Sequence, residues 1–187
     1  SDEPYERLVF PGGRHYSIAS LPGMFERTIT VFSFSKTYAM TGWRVGFAVS
    51  SADMIKAMGS VGAYPNACRT SFAQKAAVAA LDGPQDCVDD MVKEYRKRRD
   101  LVVDRLKEMN AFSVAKPKGA FYVYPRLLLD MDSPDFTKQL VDKAGVSVMP
   151  GTAFSMKGEK YFRISCANSL ENISEAMDRI QKVISKA

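Results

Sequence analysis

Two short apolar runs, Thr28-Ile29-Thr30-Val31-Phe32 and Val45-Gly46-Phe47-Ala48-Val49, flank a polar turn, and this pairing constrains the fold more than any other feature of the chain. β-Branched and aromatic side chains crowd a helix but suit a pleated surface, so both runs predict buried strands. Between them lies Ser33-Phe34-Ser35-Lys36-Thr37-Tyr38-Ala39-Met40-Thr41-Gly42-Trp43-Arg44, which gathers an amine, hydroxyls and a guanidinium at a strand end. A lysine in a Ser-rich turn is ordinarily a solvated surface residue. The flanking strands overturn that reading, because reactive groups on α/β sheets sit where strands end. The donor set suits a phosphorylated aldehyde: the amine condenses with the carbonyl while the guanidinium and hydroxyls hold the phosphate.

The chain has 187 residues, 46% hydrophobic and 25% charged, which is ordinary for a globular protein and enough for one core or two small lobes. Its net charge of +5 comes from basic residues scattered along the chain, with one concentration at Lys93-Glu94-Tyr95-Arg96-Lys97-Arg98-Arg99. Val88, Met91, Val92, Tyr95, Val102, Leu106 and Met109 form an apolar stripe at helical spacing through the same region, so the basic run reads as the wet face of a helix and not as a nucleic-acid patch. Cys68, Cys87 and Cys166 have neither metal-ligand spacing nor a disulfide framework, so reduced, mostly buried thiols and no metal are expected. No leader and no apolar run approaching about 18 residues is present, which points away from secretion and membrane spanning and toward the cytoplasm. The chain lacks an initiator Met and opens on Ser1-Asp2-Glu3-Pro4-Tyr5, which reads as a strand end, so sequence upstream is expected.

Helix-forming composition covers Ala52 to Met58 and Ser71 to Leu81. After Asp82-Gly83-Pro84, a long amphipathic helix is predicted from about Gln85 to Asn110. Beyond it, Ala120 to Tyr124, Val146 to Met149 and Tyr161 to Ser165 predict strands, and Phe136 to Ala144 predicts a helix. Asn168, with Glu171 three residues on, resembles a capping box opening a last helix with Ile173, Met177, Ile180 and Ile184 inward.

Four patches occur in a telling order: Asp2-x-x-Tyr5; Ser33-x-x-Lys36 with Arg44 eight residues later; Pro117-x-Gly119-Ala120-Phe121-Tyr122; and Phe162-Arg163-Ile164-Ser165. Over essentially its whole length the chain resembles the C-terminal half of a class I/II aminotransferase, in the aspartate aminotransferase superfamily of fold-type I pyridoxal phosphate (PLP) enzymes. The resemblance implies an α/β fold. Residues 1–84 would be the C-terminal part of a large PLP-binding domain with a mostly parallel sheet, and residues 85–187 a linking helix and a small α+β domain. It further implies that Lys36 bonds to the cofactor aldehyde and later carries the proton. Arg44, Ser33 and Ser35 would hold the phosphate. Asp2 would keep the pyridine nitrogen protonated, and Tyr5 would donate to the phenolic oxygen. Arg163 would clamp the substrate α-carboxylate, with Phe121 and Tyr122 near the site mouth and Gly119 serving the turn before them. His15, the sole histidine, is assigned no catalytic role and reads as a surface residue. Tyr38 and Trp43 would support the Lys36 turn by packing.

The implied reaction is transfer of an amino group between an amino acid and a 2-oxo acid, in a homodimer of the full-length protein. The family's upstream half, with its phosphate loop, ring-stacking aromatic, phenolate-binding asparagine and dimer-crossing arm, is not within these residues, so a fragment that binds PLP weakly or not at all is expected. One stretch departs from the family: Cys68-Arg69-Thr70-Ser71-Phe72-Ala73-Gln74 stands where many relatives have Ser/Asn-Pro-x-Ser/Thr before Ala-Gln. It leaves Arg69 as an extra anion contact or a variant loop residue, the latter preferred. Two other functions share the scaffold: another PLP reaction such as C–S lysis, and the ligand-sensing domain of a transcription regulator. The substrate amino acid stays open.

Overall fold

The two apolar runs form antiparallel strands, β1 (Thr30–Ser33) and β2 (Gly46–Val49), in register from Thr30↔Val49 to Ser33↔Gly46. The computed structural model of the chain describes residues 1–62 and 70–185, so Cys68 and Arg69 lie outside the described residues. The N-terminal segment adds a parallel bridge to β1, Asp2↔Val31. The Val31 N–H donates to Ser1 O at 2.8 Å, and the Glu3 N–H donates to Val31 O at 2.9 Å. The chain divides into two compact units, Ser1–Val92 and Lys93–Ala187, and the boundary falls within a long helix.

The first unit holds α1 (Phe34–Thr37), α2 (Ala52–Gly62) and α3 (Ser71–Asp82). Phe34, Met40 and Ala77 are buried together, with Tyr38, Val45, Ala76 and Ala80 packed around them. The strands were expected to be buried. Instead Val31 is 42% exposed, Phe47 39% and Val49 42%. A ladder of two strands and one bridge leaves a face without a covering layer, so residues of buried-strand type remain at the surface.

α4 (Asp86–Glu108) gives its first turns to the first unit and the rest to the second. Val88, Val102, Leu106 and Met109 of the predicted stripe are buried, whereas Met91, Val92 and Tyr95 are half-buried. The basic run is not wholly a wet face. Arg99 is only 5% exposed, its Nε 2.7 Å from Asp100 and its Nη1 donating to the Pro117 carbonyl. A guanidinium tolerates burial when a carboxylate and a carbonyl meet its donors.

In the second unit β3 (Phe112–Ser113), β4 (Tyr122–Val123), β5 (Arg126–Leu127), β6 (Met149–Pro150) and β7 (Phe162–Ser165) are short. β3 pairs with β5, and β7 lies between β4 and β6, all antiparallel. α5 (Ser133–Ala144) ends at Gly145, whose φ of 62° suits the left-handed stop. Rings of Phe112, Phe136 and Phe162 meet pairwise at 5.7, 5.5 and 5.1 Å in the core.

Several local expectations change here. The strand predicted over 146–149 is confined to Met149–Pro150, and the one over 120–124 to Tyr122–Val123. The left-handed residue in the turn before β4 is Ala120 (φ 56°), not Gly119, and it delays the start of that strand. α6 (Leu170–Ile184) is capped by Ser169, whose hydroxyl accepts from the Asn172 N–H at 3.2 Å; Asn168 braces this cap by accepting from the Ser169 N–H. Val183, not Ile184, completes its buried face with Ile173, Met177 and Ile180. Cys87 is exposed, while Cys166 is buried and desolvation pushes its thiol up to about 11, so it stays protonated at neutral pH.

Candidate active site

Ser33 ends β1 and caps α1, its hydroxyl accepting from the Ser35 N–H at 3.2 Å. Phe34 and Thr37 are buried, which anchors the turn and leaves Ser35 and Lys36 half-buried at its open side. The Phe34 N–H donates to Val45 O at 3.3 Å, so this turn adjoins the start of β2. Arg44 stands immediately before it, exposed, with a left-handed φ of 52° and Nη1 donating to Thr41 O at 2.9 Å. Ala39 (φ 53°) is the matching outlier at the other end of the same loop. Non-glycine residues in this region carry local strain that surrounding structure must hold, a pattern that clusters at ligand sites.

Because Asp2 bridges β1 in parallel, the chain after it leaves at the end where β1 delivers Lys36. Tyr5 lies in the turn that follows, half-buried. One hydrogen bond ties the two turns together: Thr37 Oγ1 donates to Glu6 Oε1 at 3.1 Å. Segments 2–6, 33–37 and 44–46 therefore converge at one end of β1. A groove of about 590 Å³ along β1 and β2, lined in part by Arg44, Phe47, Met58 and Gln74, takes in Arg44 but not Lys36. Tyr38 stacks on Phe34 at 5.4 Å and donates to Gln85 at 3.0 Å, and Trp43 meets Phe72 edge-on at 6.1 Å, so both aromatics flanking the turn pack within the first unit.

Beneath Asp2 lies a cluster that sequence reasoning missed. Glu3 is 6% exposed, and its carboxylate accepts from Ser1 Oγ (2.8 Å) and Ser17 Oγ (2.9 Å) and meets His15 Nε2 at 2.8 Å. Burial raises its pKa, but the hydrogen bonds from His15, Ser1 and Ser17 and the charge of His15 outweigh burial and hold the carboxyl below the usual glutamate range. A depressed carboxylate pKa gives stability that is present above the ordinary glutamate value and lost as pH falls through the folded one. Glu3→Gln is thus expected to cost about 1 kcal/mol at neutral pH. Denaturant melts should show that difference shrinking to nothing in strong acid.

Arg163 lies on β7, in the second unit. Its guanidinium carbon sits 4.3 Å from the ring centres of both Tyr122 and Phe154. Tyr122 pairs with Ser165, so it is a diagonal neighbour of Arg163 on the same sheet face. Among the described residues Arg163 has no salt bridge and no side-chain hydrogen bond, so two aromatic faces hold the fork while its donors stay available. Phe121, expected near the mouth, is 6% exposed and contacts Tyr95 and Tyr122 from behind. The structure brings Asp2, Tyr5, Ser33, Ser35, Lys36 and Arg44 together in the first unit; Arg163 and Phe121 belong to the second.

The first unit thus carries a lysine-bearing turn at a strand end, followed by Arg44, and the second carries an arginine set against two aromatic rings. Residues 1–180 match the family described as aminotransferase class I and II. Aspartate aminotransferase of Pyrococcus abyssi is 48% identical over 98% of this chain and 48% of its own length. Aromatic-amino-acid aminotransferase 2 of Thermococcus litoralis is 47% identical over 98% of this chain and 48% of its length. The crystal structure of an aromatic aminotransferase from Pyrococcus horikoshii superposes with a TM-score of 0.95 at 46% identity, covering 100% of this chain and 50% of that one. The chain belongs to the class I and II aminotransferase family. It spans about half the length of the curated relatives it matches. The family implies dependence on PLP, and among the described residues no helix is long and apolar enough to cross a membrane.

Proposed function

We propose that this chain carries the lysine-bearing portion of a PLP-dependent amino-acid aminotransferase, which moves an amino group between an amino acid and a 2-oxo acid. The observation that carries the proposal is the convergence of segments 2–6, 33–37 and 44–46 at one end of β1, tied by the Thr37–Glu6 hydrogen bond. The donor set there fits the cofactor: one amine, neighbouring hydroxyls, a guanidinium for a phosphate and a carboxylate for a ring nitrogen. When bound, PLP supplies a reactive aldehyde and an electron-accepting ring.

The chain's own residues divide the remaining work. Lys36 would hold the cofactor covalently, and its amine would take and return the proton at the substrate Cα. Arg44, with the Ser33 and Ser35 hydroxyls, would hold the phosphate. Asp2 keeps the ring nitrogen protonated, and Tyr5 donates to the phenolic oxygen. Arg163, its planar faces covered by two rings, presents edge donors to the α-carboxylate. The exposed apolar residues of β1 and β2 support a working enzyme larger than this chain, a homodimer of the full-length protein. Relatives named for aspartate and for aromatic amino acids make those the first substrates to try.

The test supplies the full-length protein with PLP, 2-oxoglutarate and a panel of amino acids. Glutamate and the matching 2-oxo acid should appear in equal amounts. Release of pyruvate and ammonia without glutamate would instead assign the scaffold to a lyase.

A further inference from the structure

The loop after β6 in the second unit is built around two glycines. Pro150-Gly151-Thr152-Ala153-Phe154 continues through Ser155-Met156-Lys157-Gly158 and closes on itself. Gly151 and Gly158 touch: a Cβ on Gly158 would strike the Gly151 carbonyl, and one on Gly151 would lie 2.5 Å from Gly158 O and 2.6 Å from the Tyr124 hydroxyl. Only glycine at both positions allows so close an approach. The Gly151 N–H donates to Tyr161 O at 2.7 Å, the Phe154 N–H donates to Gly151 O at 3.0 Å, and the Ser133 hydroxyl donates to Gly158 O at 3.2 Å. This closure fixes the backbone of Phe154.

The ring that results is 49% exposed, yet it lies 4.3 Å from the Arg163 guanidinium carbon. It also makes an edge contact with Tyr124 at 6.4 Å, and Tyr124 in turn stacks on Tyr161 at 5.3 Å. Tyr122, the other ring 4.3 Å from the Arg163 guanidinium carbon, is backed by Phe121 at 4.6 Å, and Phe121 by Tyr95 at 5.1 Å. Arg163 is thus one member of a continuous stack of rings. A flexible arginine would lose rotamer freedom on binding a carboxylate, whereas one already clamped between rings has lost it beforehand.

We infer that Phe154 is a positioning residue, which holds the Arg163 fork ready for a carboxylate from a loop pinned by the Gly151–Gly158 contact. The inference rests on the reading of Arg163 as the α-carboxylate clamp. Phe154 touches no reacting atom, so its loss should act on binding and not on turnover. In the full-length enzyme Phe154→Ala is expected to raise KM for the amino acid about two- to fivefold, the loss of one cation–π contact at a half-exposed site, with kcat unchanged. Phe154→Tyr should restore the wild-type KM and Phe154→Leu should not, because leucine fills space without a π face. The exposed ring makes loss of folding an unexpected outcome, checked by thermal melting.

An independent readout needs no cofactor. In the full-length apoprotein the Arg163 Nε–H resonance should lie upfield of the other arginines through ring currents, and Phe154→Leu should move it back toward them. Full rescue of KM by leucine, or an unmoved resonance, would overturn the inference. Arg163→Lys is the control that separates the two claims. If it raises KM while Phe154→Ala does not, the positioning role fails and the clamp stands. If it leaves KM unchanged, the clamp itself fails.

Discussion

Replacing Lys36 with alanine is expected to slow amino-group transfer by the full-length protein by at least about 10³-fold, because one side chain supplies both the covalent anchor and the proton carrier. Borohydride reduction followed by proteolysis should leave a cofactor mass on the peptide containing residue 36 in the wild type and on no peptide of Lys36→Ala. Lys36→Arg should be equally inactive. It keeps a positive charge in place but offers no amine free to condense. A cofactor label on another lysine, or near-normal turnover by the alanine variant, would remove the central residue from the proposed mechanism.

The second large effect belongs to Arg163. Its loss removes the charge-assisted contact to the α-carboxylate, typically worth about 1.5–3 kcal/mol in all, so Arg163→Ala should raise KM for amino acids about 10- to 100-fold. Attachment of PLP to Lys36 should be unaffected. That split distinguishes a substrate clamp from a structural arginine, whose removal would lower thermal stability and impair both properties together. The structure supports the clamp: cation–π contacts on both faces and no ion pair among the described residues mean that Arg163→Ala breaks no internal salt bridge. Retention of a normal KM in Arg163→Ala would remove the substrate-binding half of the proposal.

The two units differ in how far sequence pattern reached. α3, α4 and α5 follow from helical spacing and composition and from the breaker Asp82-Gly83-Pro84, because these signals act over one or two turns of chain. The small strands of the second unit were poorly bounded. β6 is two residues displaced to the end of its predicted run, and β4 is clipped by the left-handed Ala120. Pairs this short are set by which partner strand arrives opposite them, and composition carries no record of that. The same limit applied to burial. Val31, Phe47 and Val49 have the chemistry of buried strands, yet exposure depends on whether a layer lies across them.

Residue chemistry pointed to Lys36, Arg44 and Arg163, since an amine among hydroxyls and a guanidinium in an apolar strand are reactive or costly in those settings, whereas Asp2 was singled out by the family resemblance. What tertiary structure decided was company. Glu3 gathers Ser1, His15 and Ser17, which are up to 14 residues away; Glu6 reaches Thr37 across 31; and Phe154 closes over Arg163 from a glycine-pinned loop. The composition of a segment fixes its local conformation through sterics and hydrogen bonding near in sequence. The partners of a side chain depend on how distant segments are brought side by side, and only the folded chain holds that information.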